Sequence, residues 1–119
     1  MKRQYRLRRP AHFHRVRSSG SHYDGAVLLL STAPARQRTT RCGIVVARRL
    51  GGAVVRNRIK RRIREILRIH YSSLHAHTDI VVIARARNLA TMPYAELNDI
   101  LINVLRRAGV WHPPEPQPQ

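Results

Sequence analysis

Acidic residues are scarce in this chain. Six Asp and Glu stand against 23 Lys and Arg in 119 residues, a formal net charge of +17. A protein that hydrolyses its substrate unaided needs convergent carboxylates, to hold metal or to act as acid and base. Here Asp24, Glu65, Asp79, Glu96, Asp99 and Glu115 are scattered along the sequence, so no catalytic residue is expected in the protein itself. Cysteine is almost missing. Cys42 has no partner for an internal disulfide and reads as a small buried hydrophobe in a reducing, cytoplasmic compartment. There is neither a long apolar run nor a lipidation motif, which argues against a membrane role. The basic N-terminus lacks the apolar region of a signal peptide. Internal repeats are absent, and Gly51-Gly52 lacks the companions of a nucleotide-binding glycine loop. Aromatics are few, with Phe13 the single phenylalanine.

Arginine fills the space the acids leave. Only Lys2 and Lys60 are lysines. The planar arginine fork pairs bidentately with phosphate and stacks on bases, so a nucleic acid is the natural partner. The charge concentrates in 51–71, GGAVVRNRIKRRIREILRIHY, where positions 56–64 hold six cations in nine residues. Ile59, Ile63, Ile66 and Leu67, with Val55 ahead, recur at helical spacing. The pattern predicts a helix with an apolar stripe against a sheet and a broad basic face outward. Val54, Val55, Ile59, Ile63 and Leu67 are the expected core positions. So many like charges on one helix repel one another unless an anion lies against them. A merely solvated face would mix signs, and Glu65 is the only acid here.

The length suits one domain, and 43% hydrophobic residues can support a core. Residues 1–9 read as a basic, flexible lead-in, 10–110 as the domain, and 111–119 as a disordered proline-rich tail. Pro10 opens a short helix, which Gly20 is expected to end in a left-handed cap. An apolar run in 23–31 reads as a strand, 34–40 as a connection, and 42–48 as a second long strand. In that strand Cys42, Ile44 and Val46 face one way and Gly43, Val45 and Ala47 the other. After the basic helix, 79–85 (DIVVIAR) reads as an interior strand covered on both faces. Thr91 is the expected cap of a last helix, with Pro93 in its first turn. Leu97, Ile100, Leu101, Val104, Leu105 and Ala108 form its buried stripe, and Gly109 stops it. Strand, helix, strand makes 42–48 and 79–85 parallel. The fold class is α+β: a single-domain two-layer sandwich with helices on a sheet.

The segment AVVRNRIKRRIRE (53–65) resembles the signature of the bacterial ribonuclease P protein subunit. RLRRPAHFHRV (6–16) is similar to that family's lead-in and first helix, RCGIVVARRLG (41–51) to its strand and paired cations, and DIVVIAR to its last strand. The similarity runs over roughly residues 5–110. It implies an αβββαβα order and a left-handed crossover between the parallel strands, against the general right-handed rule. It also implies function: with a large catalytic RNA, the family's protein removes the 5′ leader from precursor tRNA, and RNA with magnesium performs the hydrolysis. The expected partners are that RNA, one to one, and precursor tRNA, with no obligate homo-oligomer and no metal or cofactor bound by the protein alone. Three positions depart from the family pattern. Arg17 stands where a second aromatic is common, Gly52 where asparagine is usual, and Arg48 and Arg49 where lysines are usual.

The basic helix would hold the catalytic RNA through Arg56, Arg58, Lys60, Arg61, Arg62, Arg64 and Arg68. Asn57 either bonds a base edge or 2′-hydroxyl, or braces the preceding loop. By residue type alone Phe13 is either core or a stacking platform. The resemblance assigns it to the leader. Arg17, one turn on, and Arg48, Arg49 and Arg85, at strand ends, are then placed to follow the leader backbone. His12 with His14, and His75 with His77, suggest zinc only weakly, because neither pair has a second pair nearby. The rival function is a ribosomal or RNA-chaperone protein. It shares the basic helix but does not call for Phe13 and Arg48-Arg49 as well.

Overall fold

The computed structural model describes residues 1–114. Its elements are α1 (Pro10–Ser19), β1 (Ser21–Asp24), β2 (Leu28–Pro34), β3 (Arg41–Val46), α2 (Ala53–Ile69), β4 (Thr78–Ala84) and α3 (Tyr94–Arg107). The four strands form one sheet in the order β1-β2-β4-β3. β3 and β4 are parallel and joined through α2; the other pairs are antiparallel.

Side chains alternate across the sheet, and the register sorts them into two faces. Leu30, Val82 and Ile44 align in one row, Leu28, Ala84 and Val46 in another. This face meets the apolar stripes of α2 and α3: Ile59, Ile63, Ile66, Leu67, Leu97, Leu101 and Leu105 are fully buried. On the opposite face, Val81, Ile83 and Ala33 form a smaller core with Val16 of α1 and with Leu7. β4 sits between β2 and β3 and is buried along nearly its whole length, as its unbroken apolar run predicts.

Several local expectations change. The 23–31 run is a hairpin: the strand breaks at Gly25, whose N–H donates to the Leu28 carbonyl at 2.8 Å. Gly20 is extended (φ −84°) and not left-handed. Glycine is needed there for close approach, since a Cβ would lie 2.3 Å from the Thr32 carbonyl oxygen. β3 ends at Val46, and Arg48–Leu50 form a 3-10 turn instead of extending the strand. Val54 is 83% exposed, not core, because it lies one step off the Val55–Ile59 line in the first turn of α2. Thr91 closes the 3-10 turn Arg87–Ala90, and Pro93 takes the N-cap position of α3. Gly109 does adopt a positive φ, +73°, at the end of α3.

The two ends are more engaged than composition suggests. Arg6 pairs with Cys42 in a parallel bridge, and the Leu7 N–H donates to the Cys42 carbonyl at 2.9 Å. Leu7 is the apolar residue among the cations, and its burial lays the segment along β3. At the other end, Trp111 bridges to Leu74 and lies 4.9 Å beneath the Arg106 guanidinium. The rest of the tail, 115–119, lies outside the described residues.

Candidate nucleic-acid interface

The predicted residues fall into distinct places. Phe13 packs over Gly43 of β3, where the missing side chain admits the ring: a Cβ on Gly43 would lie 2.4 Å from Phe13 Cε1. Phe13 therefore touches the sheet, yet it stays half-buried and borders open space on two sides. On one side lies a cleft of about 270 Å³ at the β3 edge, where Arg6, Arg8, Lys60 and Arg64 converge. On the other is an open hollow shared with His14 and Arg17, and Arg17 is exposed. One ring thus joins α1 to the basic side of α2. In the next row of the same sheet face, Leu29 and Val45 flank Ile83 and are only partly covered.

Electrostatics in the edge cleft are one-sided. Partial burial and then its neighbours Arg6 and Arg61 press the Arg64 guanidinium below its ordinary pKa. Arg6 Nε is buried and has no hydrogen-bond partner. Among the described residues, no carboxylate pairs with Arg6, Arg8, Lys60 or Arg64. Such an arrangement favours an incoming phosphate, which supplies both charge and acceptors.

The remaining cations differ in how free they are. Arg58, Arg61 and Asn57 are exposed on α2. Arg56 donates from Nε to the Gly51 carbonyl at 3.2 Å, so it braces the loop into α2. The sequence places Arg62 on the RNA-facing side, but its guanidinium turns inward. It donates to the Leu89 carbonyl at 2.6 Å and to the Met92 carbonyl, satisfying the turn before α3. Arg68 forms a two-bond pair with Glu65. Arg48 and Arg49 are exposed, whereas Arg85 is held by Asp24 and the Gly25 carbonyl.

A buried ion pair fixes the position of α1. Asp79 is fully buried and accepts from Arg15 of α1 and from Arg41 of β3. The Arg41 Nη1 also lies 3.3 Å from His12 Nδ1. Burial, then the charges of Arg41 and Arg9, lower the His12 pKa, which favours a neutral ring whose Nδ1 accepts. Sequence reasoning missed this group and the roles of Arg6 and Arg8. For the lead-in a signal existed, since Arg6-Leu7-Arg8 alternates like a strand. No local pattern marks Asp79, because its partners lie 38 and 64 positions away.

Among the described residues, no three His, Cys, Asp or Glu gather as a metal site. The acids nearest the basic surfaces are already held: Asp79 by two guanidiniums, Glu65 by Arg68 and Asp24 by Arg85. No helix among these residues is long and apolar enough to cross a membrane.

The Ribonuclease P family model matches residues 1–109. The chain belongs to the ribonuclease P protein family. It is 49% identical over 110 residues to the ribonuclease P protein component of Roseiflexus castenholzii, covering 92% of this chain and 90% of that one. The corresponding component of Chloroflexus aurantiacus is 47% identical over 108 residues, covering 91% and 80%. Among solved structures, the RNase P protein of Staphylococcus aureus superposes with a TM-score of 0.81 at 34% identity, covering 91% and 98%. That of Thermotoga maritima gives 0.78 at 30%, covering 86% and 96%. The four-stranded sheet with three helices is thus the fold of ribonuclease P proteins. Membership implies association with ribonuclease P RNA and a role in the holoenzyme that processes tRNA.

Proposed function

We propose that this protein binds the catalytic RNA of ribonuclease P along the exposed cations of α2 and receives the single-stranded leader of precursor tRNA at Phe13. Hydrolysis at the 5′ end of the tRNA then rests with the RNA and its magnesium, and the protein tightens and orients the substrate. One observation carries the reading: four cations converge beside a half-exposed phenylalanine, and no carboxylate among the described residues neutralises them. A base stacked on Phe13 would place its flanking phosphates near Arg6, Arg8, Lys60 and Arg64 on one side and Arg17 on the other. Arg48 and Arg49 extend the basic surface beyond β3. Arg85, bound to Asp24, contributes less free charge than the sequence suggests. Engagement of Asp24, Glu65 and Asp79 in ion pairs, and the lack of a metal-type cluster among the described residues, support the assignment of hydrolysis to the RNA.

The test is reconstitution with the catalytic RNA at low magnesium. The protein should restore cleavage of precursor tRNA, which a general RNA chaperone would not do. Phe13→Ala should weaken precursor binding by about 1–3 kcal/mol, roughly five- to 150-fold, and leave mature tRNA, which has no leader, unaffected. Equal losses for precursor and mature tRNA would return Phe13 to the core.

A further inference from the structure

A second aromatic and basic cleft lies at the C-terminal end of α2; it shares Met1 with the cleft beside Phe13 but does not include that ring. It encloses about 550 Å³ between the N-terminal segment and the end of the helix, and its walls include Lys2, Tyr5, Arg68, Ile69 and Tyr71. Tyr5 and Tyr71 pack with ring centroids 4.3 Å apart, tilted by 35°. The Tyr71 hydroxyl donates to the Thr40 carbonyl at 2.6 Å, which anchors its ring to the start of β3. Burial pushes that phenol up to about 12, so the ring stays neutral. Ile69, the last residue of α2, is 51% exposed at the rim. Glu65 grips the Nε and Nη2 of Arg68, at 3.1 and 2.6 Å. That grip fixes the guanidinium plane and leaves its faces available for stacking.

We infer that this cleft binds an unpaired nucleotide of the catalytic RNA, its base against the tyrosines and Ile69 and its phosphate near Lys2. The inference rests on the proposed function and extends it to a site on the same helix. Three observations select this occupant. The cleft continues the basic surface of α2, which is the surface proposed for that RNA. Among the described residues, the one acid bonded to its walls is Glu65, and it is already paired with Arg68. An apolar partner would not need Lys2 and a flat guanidinium at the rim, whereas a nucleotide uses both.

The experiment measures affinity of the full-length protein for catalytic RNA, precursor tRNA and mature tRNA, with cleavage assayed on the same samples. Restored cleavage by the unaltered protein establishes the proposed function independently of this cleft. Tyr5→Phe and Tyr5→Trp, which keep a π-face, should bind catalytic RNA as the unaltered protein does. Tyr5→Leu keeps apolar packing against Tyr71 but removes the face, and should weaken catalytic-RNA binding roughly five- to 150-fold. As an independent check, a photoreactive benzoylphenylalanine in place of Ile69 should cross-link to an unpaired position of the catalytic RNA. Undiminished binding by Tyr5→Leu would overturn the inference, as would cross-links confined to tRNA or to another protein. If Tyr5→Leu fails to fold, the cross-link decides: its presence on unpaired catalytic RNA supports the site and its absence removes it.

Discussion

Asp79→Asn should destabilise this protein by about 3 kcal/mol, at the lower end of the range for breaking a buried ion pair. The carboxylate is fully buried between two guanidiniums whose side chains are 22% and 15% exposed. Asparagine nearly preserves the volume, so no cavity forms. What is lost is the negative charge facing Arg15 and Arg41, and an amide can accept from only one side. Because both arginines reach some water, they can recover part of their solvation, which keeps the cost below the 5 kcal/mol limit of that range. For a domain of this size, about 3 kcal/mol corresponds to a drop in melting temperature of roughly 12 °C. The same change loosens α1 and with it Phe13, so precursor affinity should fall more than mature-tRNA affinity. Circular-dichroism melting and equilibrium binding at a temperature where the variant is folded measure the two effects. A drop of less than about 4 °C, corresponding to about 1 kcal/mol, would show that the pair does not hold α1 in place.

Other substitutions separate structural from binding arginines. Arg62→Ala should lower the urea midpoint, because two buried carbonyl contacts of a charged donor are lost, at about 1.5–3 kcal/mol. Arg58→Ala should leave the midpoint unchanged and, if Arg58 contacts a phosphate, flatten the log–log salt dependence of RNA binding by about one unit. Gly43→Ala should displace the Phe13 ring, and precursor affinity should fall while mature-tRNA affinity holds, as measured by equilibrium binding. Cys42, buried and held neutral to about pH 12 against an ordinary value of 9.0, should resist alkylation at pH 8 until the protein unfolds. Its folded pKa is the higher one, so its contribution to stability is complete below pH 9 and lost as pH rises toward 12; melting temperatures across that window test the sign.

Much of the architecture was legible because it rests on periodicity and charge. The alternation in β3, the unbroken apolar run of β4 and the helical stripes of α2 and α3 each state which side of an element must leave water. The six cations between 56 and 64 mark α2 as a basic helix whatever it packs against. Turns were less legible. Glycine serves left-handed turns and close approaches equally, and only the neighbouring Thr32 carbonyl shows which of the two Gly20 provides.

The sequence by itself determined the composition of the surface: strongly cationic, rich in arginine, and poor in carboxylates. It also determined the apolar stripes of α2 and α3 that leave water, although Val54, beside the α2 stripe, stays exposed. Tertiary structure decided which cations remain free for a ligand. Arg58 and Arg62 lie four apart on one helix, yet one is exposed and the other bonds carbonyls in a turn 27 and 30 residues away. Arg6 and Arg8, part of an apparently loose lead-in, reach the same cleft as Lys60 and Arg64 because Leu7 must be covered beside β3. A charge is local to its residue, but its availability depends on acceptors that folding brings from distant parts of the chain.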